Sequence, residues 1–282
     1  MLEGFPPKSV VVGIDGSQAA LRAALWAVDE VAGTDVPLRL LYIRDLSPTA
    51  DGGETQAATA TAEEAVYDAY NAIDAVGKPV KVEMEIVEGS PVPALIQASE
   101  STALLCVGDT GAGQASPAGF GSTATTLVHS AHCSVAIIRG DRNQEPTENR
   151  WVLAHVAGPA DDEIVLERAF EEANRRNAPL VAMTAWQSGF DDLQNDSLIN
   201  EHERRMRATL DRYVARCTPH YPEVRVRAIA AYGPLLNYLA EHARSIQLVI
   251  VGATHTIEVQ QLVSPAADPA LRHSDFALLI VR

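Results

Sequence analysis

Residues 107–126 read VGDTGAGQASPAGFGSTATT, and the rest of the chain is organised around them. An apolar run over residues 103–107 precedes the stretch and has the length of a buried strand. An apolar-periodic segment follows and predicts a helix starting at Ser122. Between the two, Gly108, Gly111, Gly113, Gly119 and Gly121 free the backbone and let a ligand approach the main chain. Ser122 or Thr123 at the helix start adds unpaired amide groups and the positive end of the helix dipole, which favour an anion. Strand, glycine-rich loop and helix N-terminus together read as a phosphate cradle. A plain flexible loop is the competing reading of the glycines alone. No Lys or Arg lies between Gly108 and Ile138, so the stretch is not a P-loop, and it carries no G-x-G-x-x-G dinucleotide fingerprint.

Outward from this stretch, the chain alternates strand and helix signals. Residues 10–14 (VVVGI) form a short apolar strand that ends in the turn Asp15-Gly16-Ser17. Leu21, Ala24, Leu25 and Val28 follow at helical spacing, with Gly33 as the stop. Residues 38–43 form a second strand. The polar, small-residue segment 45–62 reads as a surface loop, followed by a helix marked by Val66, Ala69, Tyr70 and Ile73. Val80, Val82, Met84 and Ile86 alternate with Lys81, Glu83 and Glu85, the pattern of an edge strand with one exposed face. Ser90-Pro91 starts the helix leading into the strand before the glycine loop, and residues 134–138 make a fifth strand. Strands alternating with helices predict a parallel sheet covered on both faces.

The pattern then repeats. Val36-Pro37-Leu38 matches Ala178-Pro179-Leu180 at an offset of 142, and Val107-Gly108 matches Val251-Gly252 at an offset of 144. The alternating edge strand recurs at Val224, Val226, Ala228 and Ala230. The prediction is two tandem copies of one five-stranded α/β unit, over residues 1–140 and 151–282, joined by a polar linker at 141–150. The copies differ where chemistry would sit. Gly13-Ile14-Asp15-Gly16-Ser17 corresponds to His155-Val156-Ala157-Gly158-Pro159, so the acid is missing, and no glycine occurs after Gly252. Glycines needed only to join strand to helix would be expected in both copies.

Composition narrows the function classes. The 282 residues carry a formal net charge of −15, with nine Lys/Arg against twenty Asp/Glu in residues 1–150 and thirteen against seventeen in 151–282. An acidic surface repels nucleic acid and anionic lipid, which argues against both as partners. Cys106, Cys133 and Cys217 are odd in number and form no C-x-x-C pair, the usage of reduced thiols in a cytosolic protein. No basic, then apolar, N-terminal signal and no membrane-length apolar run occurs, so the expected location is cytoplasmic.

With these residues in view, the chain resembles the universal stress protein family in its tandem two-domain form. The family's nucleotide motif is G-x2-G-x9-G-[S/T], and here it reads Gly108-x2-Gly111-x9-Gly121-Ser122. The opening strand and turn through Asp15 are similar too. The resemblance covers both halves. It implies doubly wound parallel sheets with strand order 3-2-1-4-5, and a ligand at the switch point between strands one and four, beyond their carboxyl ends. It implies that Asp15 and Ile43 hold the adenosine, with Gly13 also in the binding set, that Gly108 and Gly111 line ribose and phosphates, and that Gly121, Ser122 and Thr123 bind phosphate. The implied cofactor is ATP, in the first half only, and Mg²⁺ is expected with it because protein and phosphates are both anionic. It further implies that the two fifth strands, residues 134–138 and 278–281, pair antiparallel as an intrachain pseudo-dimer, with a homodimer of chains left open.

Plainer readings stand beside these. Asp15 or Ser122 could serve only as helix caps. His129, His132 and Cys133 lie close together but match no zinc spacing. His155 and His255 stand near the degenerate second cleft, as ordinary partly buried histidines or as its plug. Met206, Leu210, Tyr213, Val214 and Cys217 form a helix core stripe. Fast phosphoryl transfer needs cations that the loop lacks, so the sequence favours a nucleotide-dependent sensor or regulator with an unidentified protein partner. A slow ATPase or phosphotransferase is one alternative, and a scaffold in which nucleotide is structural is the other.

Overall fold

The structure is a computed structural model describing residues 8–45, 52–112, 120–139, 150–157, 162–186, 196–264 and 274–282. Gly113, Gly119 and the linker residues before Arg150 lie outside these segments. The chain divides into two units, Met1–Arg139 and Gly140–Arg282.

The first unit runs β1 (Ser9–Ile14), α1 (Gln18–Val31), β2 (Leu38–Arg44), α2 (Gly52–Asp74), β3 (Val82–Glu88), α3 (Pro91–Ser99), β4 (Thr102–Gly108), α4 (Ser122–Ser130) and β5 (Ser134–Ile138). Its strands lie in the order β3-β2-β1-β4-β5, all parallel. The second unit runs β6 (Trp151–His155), α5 (Asp162–Arg175), β7 (Leu180–Trp186), α6 (Asp196–Cys217), β8 (Val226–Tyr232), α7 (Leu235–His242), β9 (Ile246–Gly252), α8 (Thr256–Val263) and β10 (Ala277–Val281). Its order is β8-β7-β6-β9-β10, again parallel. Both units therefore have the predicted 3-2-1-4-5 topology. The registers agree as well: Val12 lies beside Cys106 in the first unit, and Ala154 beside Ile250 in the second.

The central strands are apolar on both faces because helices cover both. Val11, Val12, Leu105 and Cys106 are fully buried, as are Leu153, Ala154, Val249 and Ile250. Helix α1 shows how local sequence sets this packing. Asp15 Oδ1 accepts from the Ser17 amide at 2.9 Å, closing a turn in which Gly16 takes φ +80°, a conformation costly for other residues. Ser17 then caps the helix, its Oγ accepting from the Ala20 amide at 3.1 Å. Ser17→Ala is expected to lower stability by about 1 kcal/mol in a denaturant titration.

Three local expectations are corrected. The buried face of α1 is Ala19, Ala20, Ala23, Ala24, Ala27, Val28 and Val31, with Leu21 and Leu25 turned partly outward. Small side chains let the helix approach the sheet closely, which outweighs the larger apolar area of the leucines. Segment 45–62 is not all loop, because α2 begins at Gly52. Its alanines favour helix despite their low hydrophobicity, and Ala62 is fully buried. In β3 the alternation is inverted. Met84 and Ile86 are the exposed residues, while Glu83 and Glu85 are half-buried. On that face Arg39 of β2 pairs with Glu85, while Arg44 pairs with exposed Glu88 on the opposite face. A charged edge strand also resists pairing with other chains.

Candidate functional site

A cleft of about 620 Å³ opens in the first unit beyond the carboxyl ends of β1 and β4, where the strand order reverses. Such a switch point leaves a crevice because the connections on either side run to opposite faces of the sheet. Gly13 and Asp15 reach the cleft from the end of β1, and Ile43 from β2. Gly108 ends β4 at its floor, Gly111 follows in the loop, and Gly121, Ser122 and Thr123 come from the start of α4. All eight residues singled out from the sequence line this one cleft. Pro91 and Leu95 of α3 and Phe120 add apolar wall that the sequence did not single out.

The glycines do different work. A Cβ on Gly108 would lie 2.6 Å from both the carbonyl carbon and the Cβ of Ala19, so this glycine lets α1 cross the end of β4. A Cβ on Gly111 would lie 3.0 Å from Asp15 Oδ2, whereas one on Gly121 would meet nothing closer than the Asp109 carbonyl oxygen at 3.4 Å.

Asp15 ties the parts together. Its Oδ2 accepts from the Ala112 amide at 3.0 Å, joining the loop to the end of β1. The side chain that caps α1 is Ser17, so Asp15 is not the helix cap. Gly121 is the N-cap of α4, with φ −61° and ψ 158°, and its amide donates to the Asp109 carbonyl at 2.7 Å. This corrects the reading of Ser122 as the cap. Glycine offers no side chain to occupy the first-turn amides, so the N-terminus of α4 stays available to an anion.

A cationic element missed by the sequence lies alongside. Asp109 has Arg22 of α1 at 3.8 Å and Arg139, just after β5, at 3.7 Å. Burial raises the Asp109 carboxyl above its ordinary range, and the two arginines act in the opposite direction. The Arg139 guanidinium lies over the Phe120 ring at 4.7 Å. The loop itself carries no cation, but the fold brings two to its edge from positions 22 and 139.

The second unit differs at the matching place. His155 stands where Gly13 does, His255 where Gly111 does, and Ala157 where Asp15 does. His155 is 1% exposed, and its ring centre lies 5.9 Å from that of His255. Burial first, then the neighbouring His255, pushes the His155 imidazole down to about 3, so it is neutral at physiological pH. Among the described residues no group of three or more His, Cys, Asp or Glu is placed to hold a metal. Nor is any helix among them long and apolar enough to cross a membrane.

Two parallel α/β units, one bearing a glycine-lined cleft at its switch point, define a tandem doubly wound protein. The universal stress protein family profile matches residues 7–139 and 149–282, one match per unit, and the chain belongs to that family. Universal stress protein Rv2028c of Mycobacterium tuberculosis is 41% identical over 285 residues, covering 100% of this chain and 98% of the relative. Rv3134c of the same organism is 42% identical over 255 residues, covering 89% and 90%. Among solved structures, a universal stress protein from Archaeoglobus fulgidus superposes with a TM-score of 0.68 at 16% identity, covering 98% of this chain and 96% of that one, a likeness of fold.

Proposed function

We propose that the chain is a nucleotide-dependent regulator that binds one adenine nucleotide, ATP with Mg²⁺, in the cleft of its first unit. The observation that carries the reading is the convergence of Asp15, Gly111, Gly121 and the uncapped start of α4 on one cleft. Glycines admit the phosphates, backbone amides neutralise them, and Mg²⁺ offsets the repulsion between an acidic protein and a polyphosphate. The choice of adenine follows from the resemblance of the glycine motif to that of the family.

Binding would order the loop and pass its effect to β5. The path is short. The Asp109 amide donates to the Ile138 carbonyl at 3.0 Å, and the Asp109 carboxylate faces Arg139. Hydrogen exchange of the full chain with and without Mg²⁺-ATP is the test. Protection is expected to rise at residues 108–112 and 120–123 and, more weakly, at 134–138. A response confined to the loop would make the nucleotide a local stabiliser, and no response would remove ATP as the ligand. Recovery of intact ATP after long incubation separates the regulator from a slow ATPase.

A further inference from the structure

The second unit holds two imidazoles where the first has two cleft glycines. The two rings meet edge to face, with buried ring nitrogens left unpaired among the described residues. His155 is buried, and among the described residues neither Nδ1 nor Nε2 has a hydrogen-bond partner. The Nδ1 of His255 is likewise buried and unpartnered. A neutral imidazole always carries one N–H and one lone pair, and burying either unsatisfied is unfavourable. A histidine kept only to fill the cleft would bear this cost without return, since an apolar side chain of similar volume would avoid it.

The spacing admits a shared ion. A nitrogen bound at roughly 2.0 Å places its ring centre about 3.2 Å from the metal, so two rings on one ion have centres within about 6.4 Å. The two rings lie 5.9 Å apart with planes at 80°. His155 forms the buried base of the pair and half-exposed His255 its rim, which provides an entry path. Among the described residues no third His, Cys, Asp or Glu completes a set of three. With Ala157 in place of Asp15, no carboxylate offsets charge at that position. Two neutral donors are a poor site for a buried divalent ion that seeks four ligands and compensating charge. They suit a soft monovalent ion satisfied by two. We infer that His155 and His255 form a two-coordinate site for a monovalent d¹⁰ cation of the copper(I) class. This site is independent of the nucleotide reading of the first unit.

The test uses the full chain and silver(I) as a redox-inert probe in chloride-free buffer, followed by copper(I) in competition with a chromogenic chelator. Binding is read from the imidazole ¹⁵N shifts, because the three cysteines also bind soft metals. One equivalent is expected to move the ring nitrogens of both histidines. His255→Gln, at the half-exposed rim, is expected to weaken that binding at least about 100-fold without unfolding, and His155→Phe to remove it. Rings that do not respond to silver(I), or an unchanged response in His255→Gln, would overturn the proposal. So would zinc binding to the pair as tightly as silver(I). Should His155→Phe fail to fold, His255→Gln decides alone.

Discussion

Gly121→Val is expected to reduce adenine-nucleotide binding at least about 100-fold while leaving the first unit folded. A 100-fold loss corresponds to about 2.7 kcal/mol of binding free energy. Gly121 sits at φ −61° and ψ 158°, a conformation open to any residue, and the nearest atom to an added Cβ is the Asp109 carbonyl oxygen at 3.4 Å. The backbone therefore accepts a side chain. Exchanging glycine for a β-branched residue at the N-cap costs about 1 kcal/mol. The branches of valine have only the loop at 109–111 and the mouth of α4 to fill. Both are surfaces that a phosphate would need. Calorimetry with Mg²⁺-ATP, paired with a thermal melt of the unliganded protein, separates lost binding from lost fold.

Gly108→Ala is expected to do the opposite, destabilising the unliganded protein by about 3 kcal/mol, the upper part of the range for overpacking a close-packed interior. The added Cβ would sit 2.6 Å from the carbonyl carbon and Cβ of Ala19 and 2.9 Å from its carbonyl oxygen. These are mostly backbone atoms of α1, which cannot swing aside as a flexible side chain would. Relief requires moving the helix off β1 and β4. Denaturant unfolding without nucleotide reads the loss directly. The two glycines stand in one motif, yet the first is set by helix-on-strand packing and the second by what the cleft must admit. The second unit keeps the first of these motif glycines as Gly252, while His255 stands at the position of Gly111.

The two-unit α/β fold was legible because strand and helix signals alternate and the pattern repeats about 142–144 residues on, while the strand order came from the family resemblance. The eight cleft residues were legible through the family resemblance, and the fold places them at the ends of β1, β2 and β4, in the loop at Gly111 and at the start of α4. What escaped was set by contacts between distant segments. Nothing near Asp109 in sequence announces Arg22 or Arg139. Periodicity alone selected Leu21 and Leu25 as core, but close approach of α1 at Gly108 made alanines the buried face. In β3, hydrophobic alternation predicted which side would be buried, and Arg39 of β2 instead pairs with Glu85 on the half-buried side. The Asp15 carboxylate was read as a cap or a ligand contact, and its bond to the Ala112 amide is a third role that only the loop's return path creates.

Counting nucleotides on the intact chain tests the central claim most directly. Native mass spectrometry of the full-length protein with Mg²⁺-ATP is predicted to give one nucleotide per chain, lost in Gly121→Val and retained in His255→Gln. Two nucleotides per chain, or one that survives Gly121→Val, would contradict the assignment of a single site to the cleft of the first unit.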